Sequence, residues 1–186
     1  MRAKAMLTAR KTSVARLLLL ALTLPLALTL AVTGCSESGA PRDSEVIGPA
    51  VAPAPADLGD PQSAVESYLD WVSYAYRIGD SDVASPTMSA EEEVRVNSYA
   101  QLNTERQRRI LQVLVSFRPG LPSMEGTRAT LSAAEAWEYR YLAVDGMKAI
   151  SATYTTSYET TYHLMLSRPG VWVVDSVDAR PQSQVR

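Results

Sequence analysis

The sequence predicts an α+β domain in which N-terminal helices pack in a strongly curved four-strand antiparallel sheet. Apolar residues recur at three- and four-residue spacing in the first part of the domain, which is the period of a helix face. Runs rich in Val, Thr and Tyr follow, and turn residues separate them. Two of these runs are far longer than an ordinary strand of about five or six residues, so the strands must twist and bend.

The N-terminal segment has the layout of a signal peptide. Residues 1–34 contain five basic side chains and no acidic one, and the apolar stretch 17–32 follows the basic cluster. The stretch ends in Val-Thr-Gly-Cys at positions 32–35, which resembles the lipobox of bacterial lipoproteins. The resemblance implies cleavage after Gly34 and transfer of a diacylglyceryl group, with acyl chains such as palmitate, to Cys35. The alternative is an uncleaved membrane anchor, although its sixteen residues fall short of the eighteen or more that a spanning helix needs.

The lipid on Cys35 would hold the mature chain at the extracytoplasmic face of the cell membrane, since two acyl chains give stable anchoring. Without the leader, thirteen Lys and Arg stand against twenty Asp and Glu. An acidic chain without a basic stripe cannot hold phosphates, which excludes nucleic acid as a partner. A single cysteine forms no intramolecular disulfide, so the domain relies on its core.

The lipidated Cys35 begins a Pro- and Ala-rich segment, residues 35–60, which predicts a disordered tether. At about 3.1 Å per residue in extended geometry, such a tether would reach up to about 75 Å from the bilayer. The predicted domain follows over residues 61–180, and residues 181–186 form a short tail.

The first helix is predicted to begin at Asp60-Pro61, because Asp is a good N-cap and Pro suits the first helical position. Gly79 is predicted to end it. A capping box from Ser89 to Glu92 predicts a second helix that extends to about residue 108. We interpret the glutamates there as a solvated helix start and expect no metal site.

Four strands are predicted after the helices, with turns at Asp145-Gly146 and Pro169-Gly170. The strand ranges are 110–118, 128–142, 149–166 and 171–177. Trp172 lies in the last strand with apolar residues on both sides, so we expect it to be buried.

Three segments resemble the second half of the nuclear-transport-factor-2-like superfamily: residues 133–141 (AAEAWEYRY), 162–166 (YHLML) and 170–177 (GVWVVDSV). The similarity covers about residues 61–178 and is closest to small lipoproteins and plastid-division proteins that end on a Gly-x-Trp-x-Val strand. It implies a cone, with a curved sheet around a long first helix and a pocket at the open end. Such folds include isomerases, dehydratases and polyketide cyclases, and also members that only bind.

The candidate catalytic residues of such a pocket are Glu135, Tyr139 and His163. Glu135 shares a strand face with Trp137 and Tyr139, and it could act as a general base if that face is concave. Glu138 points to the opposite face, so the two carboxylates cannot pair. His163 is the one histidine of the sequence and cannot form a paired metal site. Because neither Glu135 nor His163 has a partner visible in the sequence, we expect both to be dispensable.

The candidate ligand-binding residues are mostly tyrosines. Tyr154, Tyr158 and Tyr162 share one strand face with two threonines, Thr156 and Thr160. The favoured interpretation is an aromatic ladder that stiffens the sheet. The alternative is a wall of phenols that contacts a ligand or partner. With two side chains of the first helix, the ligand-binding set would be Tyr68, Trp71, Tyr154, Tyr158 and Tyr162.

The sequence therefore predicts a non-catalytic binding or interaction module of the cell envelope, with no cofactor, whose partner is another envelope protein or a second copy of the chain. The alternative is a small-molecule binding protein, or an isomerase- or cyclase-type enzyme that uses a pocket carboxylate and tyrosines. A cavity filled by Tyr68, Trp71 and Tyr76 would favour the interaction module. A partly apolar pocket with a buried carboxylate would favour the alternative.

Overall fold

The computed structural model describes residues 45–182. The predicted leader, the lipobox with Cys35 and residues 183–186 lie outside the described residues. Within residues 45–182, no helix is both long and apolar enough to cross a membrane. Helices precede strands, as predicted. The elements are α1 (Pro61–Ile78), a 3-10 helix (Asp82–Thr87), α2 (Ala90–Glu105), β1 (Arg108–Pro119), β2 (Ser123–Glu125), β3 (Arg128–Ala143), β4 (Tyr154–Arg168) and β5 (Val171–Pro181).

The sheet is antiparallel, with the order β1-β3-β4-β5 and with β2 paired to the start of β3. Breaks in register fall between Leu114 and Ser116 in β1 and between His163 and Leu164 in β4. Such bulges bend a strand and increase its twist. Helix α1 contacts β1, β3 and β5, so the sheet curls far enough for both of its outer strands to reach the helix. The predicted α+β class with a curved sheet is confirmed.

The core lies between α1 and the concave face of the sheet. Its buried side chains include Val65 and Leu69 from α1, Leu131 from β3 and Leu164 from β4. Trp172 is 5% exposed and belongs to the same cluster, as its apolar neighbours in the sequence predict.

The predicted ends of α1 are confirmed. The Asp60 carboxylate accepts hydrogen bonds from the backbone N–H groups of Gln62 and Ser63, at 2.9 and 3.1 Å. These bonds and one from the Ser63 hydroxyl lower the pKa of Asp60. Gly79 ends the helix in the left-handed region at φ 73°, and the guanidinium of Arg109 occupies the space that a Cβ at this position would need.

Several predicted boundaries are wrong. Helix α2 ends at Glu105 rather than near residue 108, and Gln107 turns the chain into β1 at φ 54°. Strand β4 begins at Tyr154 rather than at residue 149. The predicted turn at Asp145-Gly146 is confirmed, because Leu142 pairs with Ala149 across it, the N–H of Ala143 donates to the carbonyl of Lys148, and Gly146 has a φ of 70°. The short strand β2 was not predicted, because Ser123–Glu125 is too short to show a period. The second predicted turn holds, with Gly170 at φ 72°.

The tether prediction fails for residues 45–60, the part of the tether that the structure describes. This segment lies along the domain and pairs with it through backbone hydrogen bonds. The N–H of Trp172 donates to the carbonyl of Leu58 at 2.9 Å, and the N–H of Ile47 donates to the carbonyl of Met147 at 2.7 Å. The side chain of Leu58 packs against the core. The Pro- and Ala-rich composition predicts disorder. The contacts of this segment are made mainly by backbone groups, which give no periodic pattern of apolar residues in the sequence.

Candidate ligand-binding cavity

A cavity of about 420 Å³ lies between α1, the end of α2 and the concave face of the sheet. Its walls follow from the period of two in the strands, which places alternate residues of β3 and β4 on one face. Helix α1 contributes Leu69 and Val72 to the apolar part of the lining. Seven of the nine tyrosines of the chain also line it: Tyr68, Tyr76, Tyr99, Tyr139, Tyr141, Tyr158 and Tyr162.

Glu135 is a buried carboxylate in the wall of this cavity, with 6% of its surface exposed. Its Oε2 accepts a hydrogen bond from the indole Nε1 of Trp137 at 2.8 Å, and its Oε1 accepts one from the hydroxyl of Tyr162. Burial, reinforced by the adjacent Glu135 carboxylate, raises the pKa of Tyr162 well above its usual range. The phenol therefore stays protonated and donates to the carboxylate. The expectation that Glu135 has no partner is wrong.

Glu92 is a second buried carboxylate, although the sequence predicts a solvated helix start there. Its side chain is 2% exposed, and its Oε1 accepts a hydrogen bond from the hydroxyl of Tyr68 at 2.7 Å. Burial raises the pKa of Glu92, against the opposing effects of the Tyr68 hydrogen bond and the Arg95 guanidinium, whose Nη1 lies 3.3 Å from Oε2. The capping box is half formed: the Ser89 hydroxyl accepts from the Glu92 N–H at 3.3 Å, but the N–H of Ser89 donates to the carbonyl of Val174.

The two buried carboxylates belong to one arrangement. The rings of Tyr68 and Tyr162 meet edge to face, with 6.3 Å between their centroids. Glu92, Tyr68, Tyr162 and Glu135 thus form a continuous row from α2 across α1 to the sheet. Because burial raises the pKa of Tyr68 far above its usual range, both phenols stay neutral donors. The row fixes the floor of the cavity.

The rim of the cavity is aromatic and more exposed than the floor. Tyr139 stacks on Tyr154, with ring centroids 5.2 Å apart, and Tyr141 meets both rings edge to face. The guanidinium of Arg108 lies over the ring of Tyr141, 3.6 Å from its centroid. On the α2 side, the rings of Tyr76 and Tyr99 lie 5.2 Å apart. The rim thus presents aromatic faces and edges to an entering molecule.

The lining is rich in hydroxyl groups and poor in charge. Among the residues that line the cavity, Glu135 is the charged one, and none is Lys, Arg or His. The hydroxyl of Thr160 is buried in the wall without a hydrogen-bond partner. Across residues 45–182, no group of three or more His, Cys, Asp and Glu side chains could hold a metal ion.

Five of the residues singled out from the sequence meet in this cavity: Tyr68, Glu135, Tyr139, Tyr158 and Tyr162. The period of two is the signal that placed Glu135 with Tyr139 on one face of β3 and Tyr158 with Tyr162 on one face of β4, whereas Tyr68 comes from α1.

Three other candidates lie elsewhere. Trp71 packs against the outside of the core, and its indole meets Tyr74 edge to face at 6.0 Å. Tyr154 flanks the rim through its stack on Tyr139. His163 lies on the other face of the sheet, where its Nε2 is 3.2 Å from the Oδ2 of Asp178. That face places His163 apart from the cavity.

Several side-chain contacts around the cavity were not predicted from the sequence. Trp137, two residues from Glu135 on the same strand face, could have been recognised as its hydrogen-bond partner from this spacing. The burial of Glu92 could not have been recognised, because the capping-box pattern already explains a glutamate at the start of a helix. Tyr76 and Tyr99 come together only through the packing of α1 against α2, which no local pattern shows.

Comparisons with known proteins identify the fold. The intermembrane-space region of the chloroplast protein ARC6 is similar over 70% of this chain and 100% of its own, at 16% identity and a TM-score of 0.52. A nuclear transport factor 2-like superfamily protein from Salmonella enterica serovar Typhimurium matches 66% of this chain and 91% of its own, at 12% identity and a TM-score of 0.45. An IcmL-like type IV secretion system protein from Legionella pneumophila matches 67% of this chain and 96% of its own, at 11% identity and a TM-score of 0.43.

No protein-family model and no curated protein matches the sequence. The likeness to ARC6 shows a shared fold, in agreement with the resemblance seen in the C-terminal strands. At 16% identity it shows the fold alone.

Proposed function

We propose that this protein is a membrane-anchored extracytoplasmic lipoprotein whose domain is a non-catalytic binding module, and that its ligand is a small molecule held in the tyrosine-lined cavity. One observation carries the proposal: a cavity of about 420 Å³ remains open beside the buried carboxylate of Glu135. Tyr68 and Tyr76 line this space without filling it, and Trp71 lies outside it. A concave, largely apolar site with a few convergent polar groups is typical of small-molecule binding.

The hydrogen bonds of the Glu135 carboxylate favour ligand binding over catalysis. Both oxygens of Glu135 accept hydrogen bonds from protein donors, Tyr162 and Trp137, so the carboxylate is held in place. A general base needs an oxygen directed at the proton it removes and a group that stabilises the developing charge. Among the lining residues no Lys, Arg or His stands as a cationic partner for such a charge. The held carboxylate and the lack of a cationic group favour recognition of a ligand over its conversion.

The proposed location rests on the N-terminal sequence. The basic cluster, the apolar stretch and the Val-Thr-Gly-Cys lipobox support export and lipidation of Cys35. A ligand site held at the extracytoplasmic face would sample molecules outside the cell membrane, which suits a carrier or a sensor.

A protein partner, either another envelope protein or a second copy, is the second candidate function. It is favoured by the exposed apolar side chains of Val113 and Val115, which are 51% and 58% exposed on β1. Strand β1 is an edge of the sheet, and an exposed apolar edge strand is a common docking element. Val113→Lys should then abolish chemical crosslinking of the protein in membranes while leaving its stability unchanged.

The cavity is tested by ligand mapping in solution. The unlipidated mature chain, from residue 36 onward, is titrated by NMR with a library of small amines, carboxylic acids and neutral aromatics. We expect at least one class to shift the resonances of lining residues, and Ala179→Trp, which places an indole in the cavity wall, to abolish these shifts. The matched control is Ala152→Trp, at an exposed position that does not line the cavity. Shifts that persist in Ala179→Trp, or that never involve the lining, would contradict the proposed function.

A further inference from the structure

The charge character of the cavity narrows the class of ligand. Its lining combines aromatic side chains with a single carboxylate, Glu135, and contains no Lys, Arg or His. The face of an aromatic ring carries partial negative charge, so tyrosine faces and a carboxylate attract the same kind of group. An anionic ligand would instead face an uncompensated carboxylate in a poorly solvated site.

The hydrogen bonds of Glu135 keep it an acceptor. Its two oxygens accept from Tyr162 and Trp137, which are neutral donors, so no protein cation compensates its charge inside the cavity. The hydroxyl of Thr160, on a residue 3% exposed, has no partner and offers a further acceptor in the wall. A protonated amine could donate hydrogen bonds to Glu135 and Thr160, and a quaternary ammonium group, which has no N–H, would be attracted to the carboxylate by its charge.

The rim already binds one cation. The guanidinium of Arg108 stacks on the ring of Tyr141 at 3.6 Å, while its Nε donates to the Oδ1 of Asn103 at 2.9 Å. This contact shows that the ring faces of the rim can hold a delocalised cation. Arg108 does not line the cavity, but its charge opposes the entry of a second cation. The field of the whole domain acts the other way, since residues 45–182 carry eleven Lys and Arg against eighteen Asp and Glu.

We infer that the cavity binds an organic cation, an amine or quaternary ammonium compound, whose charged group is held by the tyrosine rings of the lining and by the charge of the Glu135 carboxylate. The inference rests on the proposed function, because it assumes that the cavity is the ligand site. The ring of Tyr139 supplies a face that is already fixed by its stack on Tyr154. Such a rigid aromatic surface loses little entropy when a ligand binds.

Three probes of nearly equal shape and different charge test this inference. Choline, 3,3-dimethyl-1-butanol and 3,3-dimethylbutanoate are titrated separately into the unlipidated mature chain, and binding is followed by the NMR shifts of lining residues. We expect choline to bind at least tenfold more tightly than the neutral alcohol, and the carboxylate to bind most weakly.

Matched variants assign the effect to named side chains. Glu135→Gln should weaken choline about tenfold and leave the neutral alcohol unchanged, whereas Glu138→Gln, on the opposite face of β3, should leave both unchanged. Tyr139→Phe keeps the ring face and should retain choline binding, while Tyr139→Leu should lose it. If Glu135→Gln does not fold, the comparison of Tyr139→Phe with Tyr139→Leu still tests whether the cavity binds the cation. Arg108→Gln should leave choline binding intact or strengthen it.

Three outcomes overturn the inference. Equal binding of all three probes in the cavity would remove the preference for a cation but leave the proposed function standing. Choline binding without shifts of lining residues, or no binding of choline, would also overturn it. The proposed function fails separately, if no compound of the wider library shifts the lining or if Ala179→Trp has no effect.

Discussion

At the scale of single residues, the molecule is defined by two carboxylates that the fold buries and pairs with tyrosines. Glu135 accepts from Tyr162, and Glu92 accepts from Tyr68, so each charge is held by a donor that is itself buried. An unpaired buried carboxylate would be strongly destabilising, whereas a hydrogen-bonded one is tolerated and rigid. These pairs therefore position side chains around the cavity more than they stabilise the fold.

The raised pKa of Glu92 predicts a pH dependence of stability. Its folded pKa lies above the ordinary value of 4.5 because the side chain is buried, so the folded state binds the proton more tightly than the unfolded state does. Stability associated with Glu92 is complete below the unfolded pKa and is lost as the pH rises through the folded pKa. Urea unfolding from pH 4 upward should show a smaller loss in Glu92→Gln than in the parent. The exposed control Glu91→Gln should follow the parent, and an identical slope in all three proteins would contradict the burial of Glu92.

The buried indole of Trp172 predicts a large effect of truncation. Trp172→Ala removes a core side chain that is 5% exposed, which should cost about 3 to 5 kcal/mol of unfolding free energy. Chemical denaturation measures it, and the exposed Val115→Ala should change the unfolding free energy by less than about 0.5 kcal/mol. A Trp172→Ala protein as stable as its parent would mean that the indole is a surface group.

At the scale of elements, the segment before α1 belongs to the domain and not to a free tether. The carbonyl of Leu58 accepts from the N–H of Trp172, and the Leu58 side chain packs on the core. The carboxylate of Glu45 lies 2.6 Å from the guanidinium of Arg140. Residues 45–58 therefore add contacts to the domain and are not a free tether.

This packing predicts that the segment contributes to stability. A chain that begins at residue 60 loses the Leu58 contacts and the backbone bonds of residues 45–58, and it should unfold about 2 kcal/mol more easily than a chain that begins at residue 45. Guanidinium denaturation of the two proteins measures the difference. Equal denaturation midpoints would mean that residues 45–59 make no stabilising contact and that the folded domain begins at Asp60.

How far the sequence predicts the elements depends on their local signals. Both ends of α1 follow from Asp60, Pro61 and Gly79, because caps are local. The end of α2 does not, since Gln107 turns the chain at a positive φ that its type gives no reason to expect. The period of two assigned Glu135 and Tyr162 each to a strand face, but which face is concave, and whether the two side chains meet, depends on the curl of the sheet.

At the scale of the whole molecule, we propose that a lipid on Cys35 holds a cavity-bearing domain outside the membrane. Prediction from sequence is strongest for the α+β fold, whose helix and strand periods are local, and weakest at the cavity. The three-dimensional meeting of α1, α2 and the sheet decides whether the tyrosines fill the space or line it. For this reason the sequence alone cannot decide whether Tyr158 and Tyr162 form a ladder that stiffens the sheet or a surface that contacts a ligand.

Lipidation is predicted to depend on one side chain. Cys35→Ser should accumulate as an unprocessed precursor that incorporates no labelled fatty acid, because the thiol is the atom that the diacylglyceryl group would modify. Metabolic labelling and the mobility of the protein on gels report the result. Normal processing of Cys35→Ser would contradict the lipoprotein proposal and would indicate export with an ordinary, non-lipidated signal peptide.

A crystal structure of the mature domain grown with choline tests directly whether the open cavity holds a small molecule. We expect electron density for the ligand within the cavity that Glu135 and Tyr139 line, with Tyr68 and Tyr162 still hydrogen-bonded to their carboxylates. A cavity closed by side chains that have turned into it, with no density for the ligand, would contradict the claim.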